Sequence, residues 1–340
     1  MGIKNKILGF LFALIIIAGC KEIIDYDEKS VREALVVSGI LEQGKVIDIR
    51  LSKSINRFDD AGFQQIEDKI IVYFEDGVRM GELRNAGKGR YVSDGFLATP
   101  GKAYRIEIFD NGKEIASAET FLPIPLRING LDSISMIING NKRLLVKLNF
   151  DDPPGTENFY RLELHEDLFV PYLTSKNEVS VRMITIPGEI NTEKNWLIRG
   201  MGLFSENDKF HDWASNRFYI FSDRYIQGNK LSLELDMPYF RTDSVLGTNR
   251  KIYLQSISRD YFYYLRSVMQ QVSTSENPFN EPVQVYTNIN GGVGIFGAFS
   301  QSVDSLIHIN WALIDSLFPG ITIPGNLNPL NYPSPAFVGD

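Results

Sequence analysis

From Ala34 onward, apolar side chains recur at every second position, and this period of two narrows the available folds more than any other feature of the chain. Alternation of this kind puts neighbouring side chains on opposite faces of an extended strand, one face toward a core and the other toward water. Ile47, Ile49 and Leu51 alternate with Asp48, Arg50 and Ser52, and Tyr104, Ile106 and Ile108 alternate with Arg105 and Glu107. Asp76-Gly77 separates Ile70–Glu75 from Val78–Leu83, and Asn111-Gly112 separates Tyr104–Phe109 from Glu114–Phe121. Both dipeptides tolerate positive φ and so suit tight hairpins. Short strands at this spacing, with no helical stretch among them, predict an immunoglobulin-like β-sandwich over residues 34–123.

Leu122-Pro123-Ile124-Pro125 marks a boundary, because two prolines one residue apart cannot donate ladder hydrogen bonds. The alternation then restarts. Leu144, Val146, Leu148 and Phe150 share one face of a strand; so do Tyr160, Leu162 and Leu164, and so do Leu231, Leu233, Leu235 and Met237. Residues 124–302 therefore form a second β-rich domain, in keeping with a length of 340 residues, which is long for one domain. Within it, Glu166 to Asp223 shows no clean period and is expected to contain long loops. One segment near 258–272 has helical spacing, with Tyr261, Leu265, Val268, Met269 and Val272 at i, i+4, i+7, i+8 and i+11. Ser258 suits its N-cap and Asp260 its positive N-terminal end. Such an apolar stripe is expected to pack on the sheet. Residues 303–340 read as a C-terminal extension.

The N-terminus reads as an address. Lys4 and Lys6 precede Ile7–Ile17, an apolar run of about a dozen residues, the length of a signal-peptide core. A membrane-spanning helix needs about 20. Ile17-Ala18-Gly19-Cys20 resembles a bacterial lipobox, in which residues 1–19 are removed and the cysteine carries lipid. Small residues let the backbone enter a peptidase groove, and the thiol supplies the sulfur for a thioether. Each acyl CH₂ buried in a bilayer then contributes about 0.8 kcal/mol. The alternatives are an ordinary secreted protein and an uncleaved anchor. Residues 20–33 read as a tether. Its Lys21-Glu22 start and following acids resemble the surface-export signal of Bacteroidota lipoproteins, although Ile23 and Ile24 interrupt the acids. A plain solvated linker is the other reading. The expected location is the outer membrane, lipid-anchored at Cys20 and facing the cell surface.

Composition excludes several functions. Cys20 is the only cysteine, so neither a disulfide framework nor a multi-cysteine metal site is available. With 42 acidic against 35 basic residues the net charge is −7, and no dense basic run exists, so no nucleic-acid partner is expected. No metal, no cofactor and no enzymatic activity are expected either. Asp151-Asp152 is followed by Pro153-Pro154-Gly155, which explains the pair as a turn, whereas calcium needs about six to eight oxygens. His211-Asp212 lacks a Gly-x-Ser-x-Gly elbow. The glycines at 291, 292, 294 and 297 lack the Gly-Lys-Ser/Thr ending of a phosphate loop and read as a tight loop beside the sheet. What remains for binding is two loop-like segments. One carries Trp196, Phe210, Trp213 and Phe218; the other carries Gly291, Gly292, Gly294 and Phe296. Loop aromatics serve interfaces and sugar stacking, and equally serve as lids on a local core.

Several local motifs occur in one order: Leu35-Val36-Val37-Ser38-Gly39; Phe150-Asp151-Asp152-Pro153-Pro154-Gly155 with Asn158-Phe159-Tyr160; Phe221-Ser222-Asp223; Ser258-Arg259-Asp260-Tyr261; and Asn288 through Gly297. This ordered set resembles the DUF4249 family of Bacteroidota lipoproteins, a domain of unknown function, from about Cys20 to about Ser302. The resemblance implies an outer-membrane lipoprotein, accessory to a TonB-dependent receptor that captures or admits a ligand which the sequence does not name. It carries over no catalytic residues. Two other classes stay open, an envelope-assembly lipoprotein that binds proteins and a surface hydrolase.

Overall fold

The structure, a computed structural model, describes residues 33–54, 64–176, 178–191, 195, 197–199, 216–224, 230–275 and 283–317. The signal peptide, Cys20, the tether, Trp196, Phe210, His211-Asp212 and Trp213 lie outside them. The described chain is mainly β, as the alternation predicts, with sixteen strands in three sheets and two helices.

The largest sheet is built from both halves of the sequence. From the first half come β1 (Leu35–Glu42), β2 (Val46–Lys53), β5 (Arg84–Gly87) and β6 (Arg90–Leu97). From the second come β11 (Phe159–Leu173), β12 (Val179–Pro187), β13 (Ile220–Ser222), β15 (Gly247–Ile257) and β16 (Val293–Ile309). Their order is β12-β11-β15-β16-β1-β2-β6-β5, with β13 on β11. Every pairing is antiparallel except β1 with β16, which run parallel from Val36↔Val293 to Glu42↔Phe299. Strand β16 is the joint. Its first residues pair with β1, and from Phe299 to Ile309 it pairs with β15.

Two smaller sheets lie on one face of this large one. The first is β4-β3-β7-β8, from β3 (Ile70–Glu75), β4 (Val78–Glu82), β7 (Lys102–Asp110) and β8 (Lys113–Leu122). Both predicted hairpins are present, with positive φ at Asp76, Gly77, Asn111 and Gly112. The second is β14-β10-β9, from β9 (Ile128–Ile138), β10 (Asn141–Asp151) and β14 (Lys230–Pro238). Ile49, Tyr91 and Phe296 of the large sheet pack with Ile71, Ile106 and Ile108 of the first small sheet. Leu162, Ile252 and Leu254 pack with Val146, Leu148 and Leu235 of the second. Helix α1 (Arg259–Ser275) covers the opposite face, burying Phe262, Leu265 and Met269 against Phe159, Ile220 and Ile257. Ser258 caps it, its Oγ accepting from the Tyr261 N–H at 3.3 Å. Helix α2 is short (Trp311–Leu317).

Two expectations are corrected. The stretch after Glu166 is not all loop, since β11 continues to Leu173 and β12 pairs back along it. Its period is hidden because charges are buried there. Glu166 is bonded to Arg250 at 2.6 Å, and Asp167 to Lys251 at 2.8 Å, across the β11–β15 ladder. Nor does an extension begin at 303, because β16 runs unbroken through 302 and 303 to Ile309.

Candidate functional site

Proline ends the first small sheet at Leu122, and the second begins at Ile128. Between them the chain crosses the face of the large sheet as Pro123–Arg127. Here that face changes character. Along β16 the inward positions run Phe296, Ala298, Ser300, Ser302, and their β15 neighbours are Ser256 and Leu254. The serines tie down the crossing segment. Ser300 Oγ donates to the Pro123 carbonyl and Ser302 Oγ to the Leu126 carbonyl. Ser256, on the same face and 5% exposed, has no hydrogen-bond partner for its Oγ.

A cleft of about 370 Å³ opens at this seam. Phe121, Pro123, Ile124 and Leu126 form one wall; Pro153 and Thr156 through Tyr160 form another; Ser256 through Arg259 close the end. Phe121 and Ile124 remain 52% and 65% exposed at its lip. Arg259 stands at the first turn of α1 with its guanidinium 5.6 Å from the Tyr263 ring.

A buried polar network fixes the turn wall. Asn158 donates its backbone N–H to Asp223 Oδ1 and its side-chain amide to Oδ2, both at 2.8 Å, and the amide also reaches the Thr156 carbonyl at 2.9 Å. The Tyr160 hydroxyl donates to Asp152. Asp152 is thus turned inward as a structural acceptor, while Asp151 is exposed. Burial pushes the Asp223 carboxyl up to about 6 against the lowering effect of the Asn158 donors, and Asp152 adds to the rise. Burial, reinforced by Asp152, also raises the Tyr160 phenol.

Among the expected site residues that the structure describes, none lines this cleft. Phe218 is half-buried against the helix cluster. Gly291, Gly292, Gly294 and Phe296 lie at the entry to β16, with Gly291 at the surface. They bring the chain into β16 between β1 and β8, and Phe296 is fully buried. A Cβ at Gly291 would lie 2.2 Å from the Ile115 carbonyl oxygen, at Gly292 2.7 Å from that of Leu35, and at Gly294 2.1 Å from that of Val37. Asn158, Tyr160, Ser256 and Arg259 were not singled out as site residues from the sequence, although two of the five ordered motifs meet here and a third, Phe221-Ser222-Asp223, supplies the carboxylate behind the turn. That shared meeting point was the available signal. Among the described residues no three His, Cys, Asp or Glu side chains gather as metal ligands. None of their helices is long and apolar enough to cross a membrane.

The fold and the cleft define a class, a mainly β protein of several packed sheets with a small apolar cleft at their seam. The chain belongs to the DUF4249 family, described as a domain of unknown function, whose model matches residues 21–305. No curated protein matches the sequence. Among solved structures, the crystal structure of "Putative membrane anchored protein" from Corynebacterium diphtheriae is 11% identical, covering 67% of this chain and 55% of that one with a TM-score of 0.21. A second match contains manganese lipoxygenase of Gaeumannomyces graminis and part of zonadhesin of Komagataella pastoris, at 9% identity, 82% and 96% coverage and a TM-score of 0.15. Neither superposition supports an argument about this chain.

Proposed function

We propose that this protein is a non-enzymatic lipoprotein of the outer membrane, anchored through Cys20 and facing the cell surface, that captures a small ligand beside a TonB-dependent transporter. The observation that carries the binding part is the seam cleft. It has an apolar lip, a rigid wall held by Asn158 and Asp223, and a buried hydroxyl without a partner. Ligand sites commonly take this form, an apolar recess with a few placed polar groups. The Ile17-Ala18-Gly19-Cys20 motif supports the anchor, and the transporter is what the resemblance to the family implies.

Affinity purification of the full chain from detergent-solubilised outer membranes tests the reading. A TonB-dependent receptor is expected in the eluate. The Cys20→Ala chain should incorporate no fatty-acid analogue and lose the receptor. Recovery of no receptor with the parent, or equal lipid labelling of Cys20→Ala, would overturn it.

A further inference from the structure

We propose that the seam cleft binds a small monocarboxylate, an apolar body ending in one carboxylate group. This deepens the capture reading above and rests on it. Three features specify the ligand. The first is Ser256. Burying a hydroxyl without a partner is unfavourable, and Ser256 does so, whereas Ser300 and Ser302 on the same face each find a carbonyl. A ligand oxygen entering the cleft would supply the missing partner. The second is Arg259. This residue lines the cleft and is exposed, its guanidinium lies 5.6 Å from the Tyr263 ring, and it has no carboxylate in ion-pair contact among the described residues. It sits at the N-terminal end of a 17-residue helix, where the backbone also favours an anion. The third is the lip. Phe121 and Ile124 offer an apolar surface that stays largely exposed among the described residues.

The cleft also sets limits. About 370 Å³ lies at the low end of the roughly 300–1,000 Å³ that ligand sites span, so the ligand is small. Glu157 lines the same cleft, and a second anionic group would meet its charge. One carboxylate facing Arg259, with the remainder apolar, matches the single cation and the apolar lip of the cleft.

Phenylacetate and its neutral counterpart phenylacetamide are the probes, titrated into the full chain and followed by saturation-transfer NMR. Phenylacetate is expected to bind saturably and phenylacetamide about tenfold more weakly, the loss of one charge-assisted contact. Arg259→Met should weaken phenylacetate by a similar factor and leave phenylacetamide unchanged, while Arg259→Lys restores most of the preference for the acid. Ser256→Ala should weaken both probes by roughly threefold. Circular dichroism checks each variant. If Arg259→Met misfolds, the acid–amide comparison on the parent and the Arg259→Lys titration still decide. Absence of saturable phenylacetate binding, equal binding of acid and amide, or a folded Arg259→Met chain that keeps the preference would each overturn the proposal. Failure to recover a transporter would strike the accessory reading and leave these titrations untouched.

Discussion

The entry to β16 and the seam a few residues farther along it are both punctuated by backbone-modifying residues, and they do opposite things. At Gly291, Gly292 and Gly294 the missing side chains let the backbones of β1 and β8 come in to where a Cβ would stand. At Pro123, Pro125, Pro153 and Pro154 the missing N–H groups stop the ladders, and the two small sheets separate over the large one. Glycine closes a gap by admitting a neighbour, whereas proline opens one by refusing a partner. Both segments read as turns or loops in the sequence. What separates them is whether another strand arrives.

The sharpest way to break this contrast is to block the closed side. Gly294 has φ of 110°, and a Cβ there would lie 2.1 Å from the Val37 carbonyl oxygen. Gly294→Ala should therefore cost about 3–5 kcal/mol, from backbone strain plus a clash with main chain. Gly140 is the control. It too has positive φ, 79°, but nothing lies within 4 Å of its would-be Cβ, so Gly140→Ala should cost only about 1–2 kcal/mol. Urea denaturation of the two variants gives the difference. Equal costs would mean that β1 and β16 are not in close contact at Gly294.

The open side has its own lever in Asp223, whose carboxyl is raised to about 6. An unfolded aspartate titrates near 3.9. Between these values the folded chain holds a proton that the unfolded chain releases, so stability from this group is full below about pH 4 and is lost as pH rises through about 6. Asp223→Asn cannot titrate. The stability of the parent relative to Asp223→Asn should thus fall, by on the order of 1 kcal/mol, between pH 4 and pH 7. Thermal melts across that range read the slope difference. Parallel curves for parent and variant would show that the carboxyl is not held above its ordinary value, the Asn158 donors offsetting its burial.

Much of the fold was legible in the sequence because most of the strands bury one face only. Ile106 between Arg105 and Glu107, or Leu148 between Lys147 and Asn149, declare their faces directly, and Asp76-Gly77 and Asn111-Gly112 declare their hairpins. Two things were not legible. One was the parallel pairing of Val36 with Val293, since a strand carries no local mark of a partner more than 250 residues away. The other was the course of β11 beyond Glu166, because Glu166 and Asp167 look like surface residues until Arg250 and Lys251 are placed across from them. The cleft suffered from the same blindness to distance. Ser258-Arg259-Asp260 was readable as a helix start and Pro153-Pro154-Gly155 as a turn, but that they share a cavity with Ile124 depends on the meeting of three sheets.

The smallest expected effect tests whether the seam is open at all. Ile124 is 65% exposed at the lip, so Ile124→Ser removes an aliphatic side chain that the fold scarcely uses, and stability should change by no more than about 0.5 kcal/mol. Set beside Gly294→Ala, this means that adding one methyl group on the closed side costs several times more than deleting most of a side chain on the open side. Binding should behave in the reverse order. Ile124→Ser strips apolar surface from the lip, and losing about 30–40 Å² of contact with a ligand corresponds to about 1 kcal/mol, roughly fivefold in affinity. Chemical denaturation and phenylacetate titration on the same preparation separate the two quantities. A large loss of stability would show that Ile124 belongs to a packed core and that no open seam exists there. An unchanged affinity in a folded variant would place the apolar body of the ligand away from the lip, deeper toward Leu126 and Phe159.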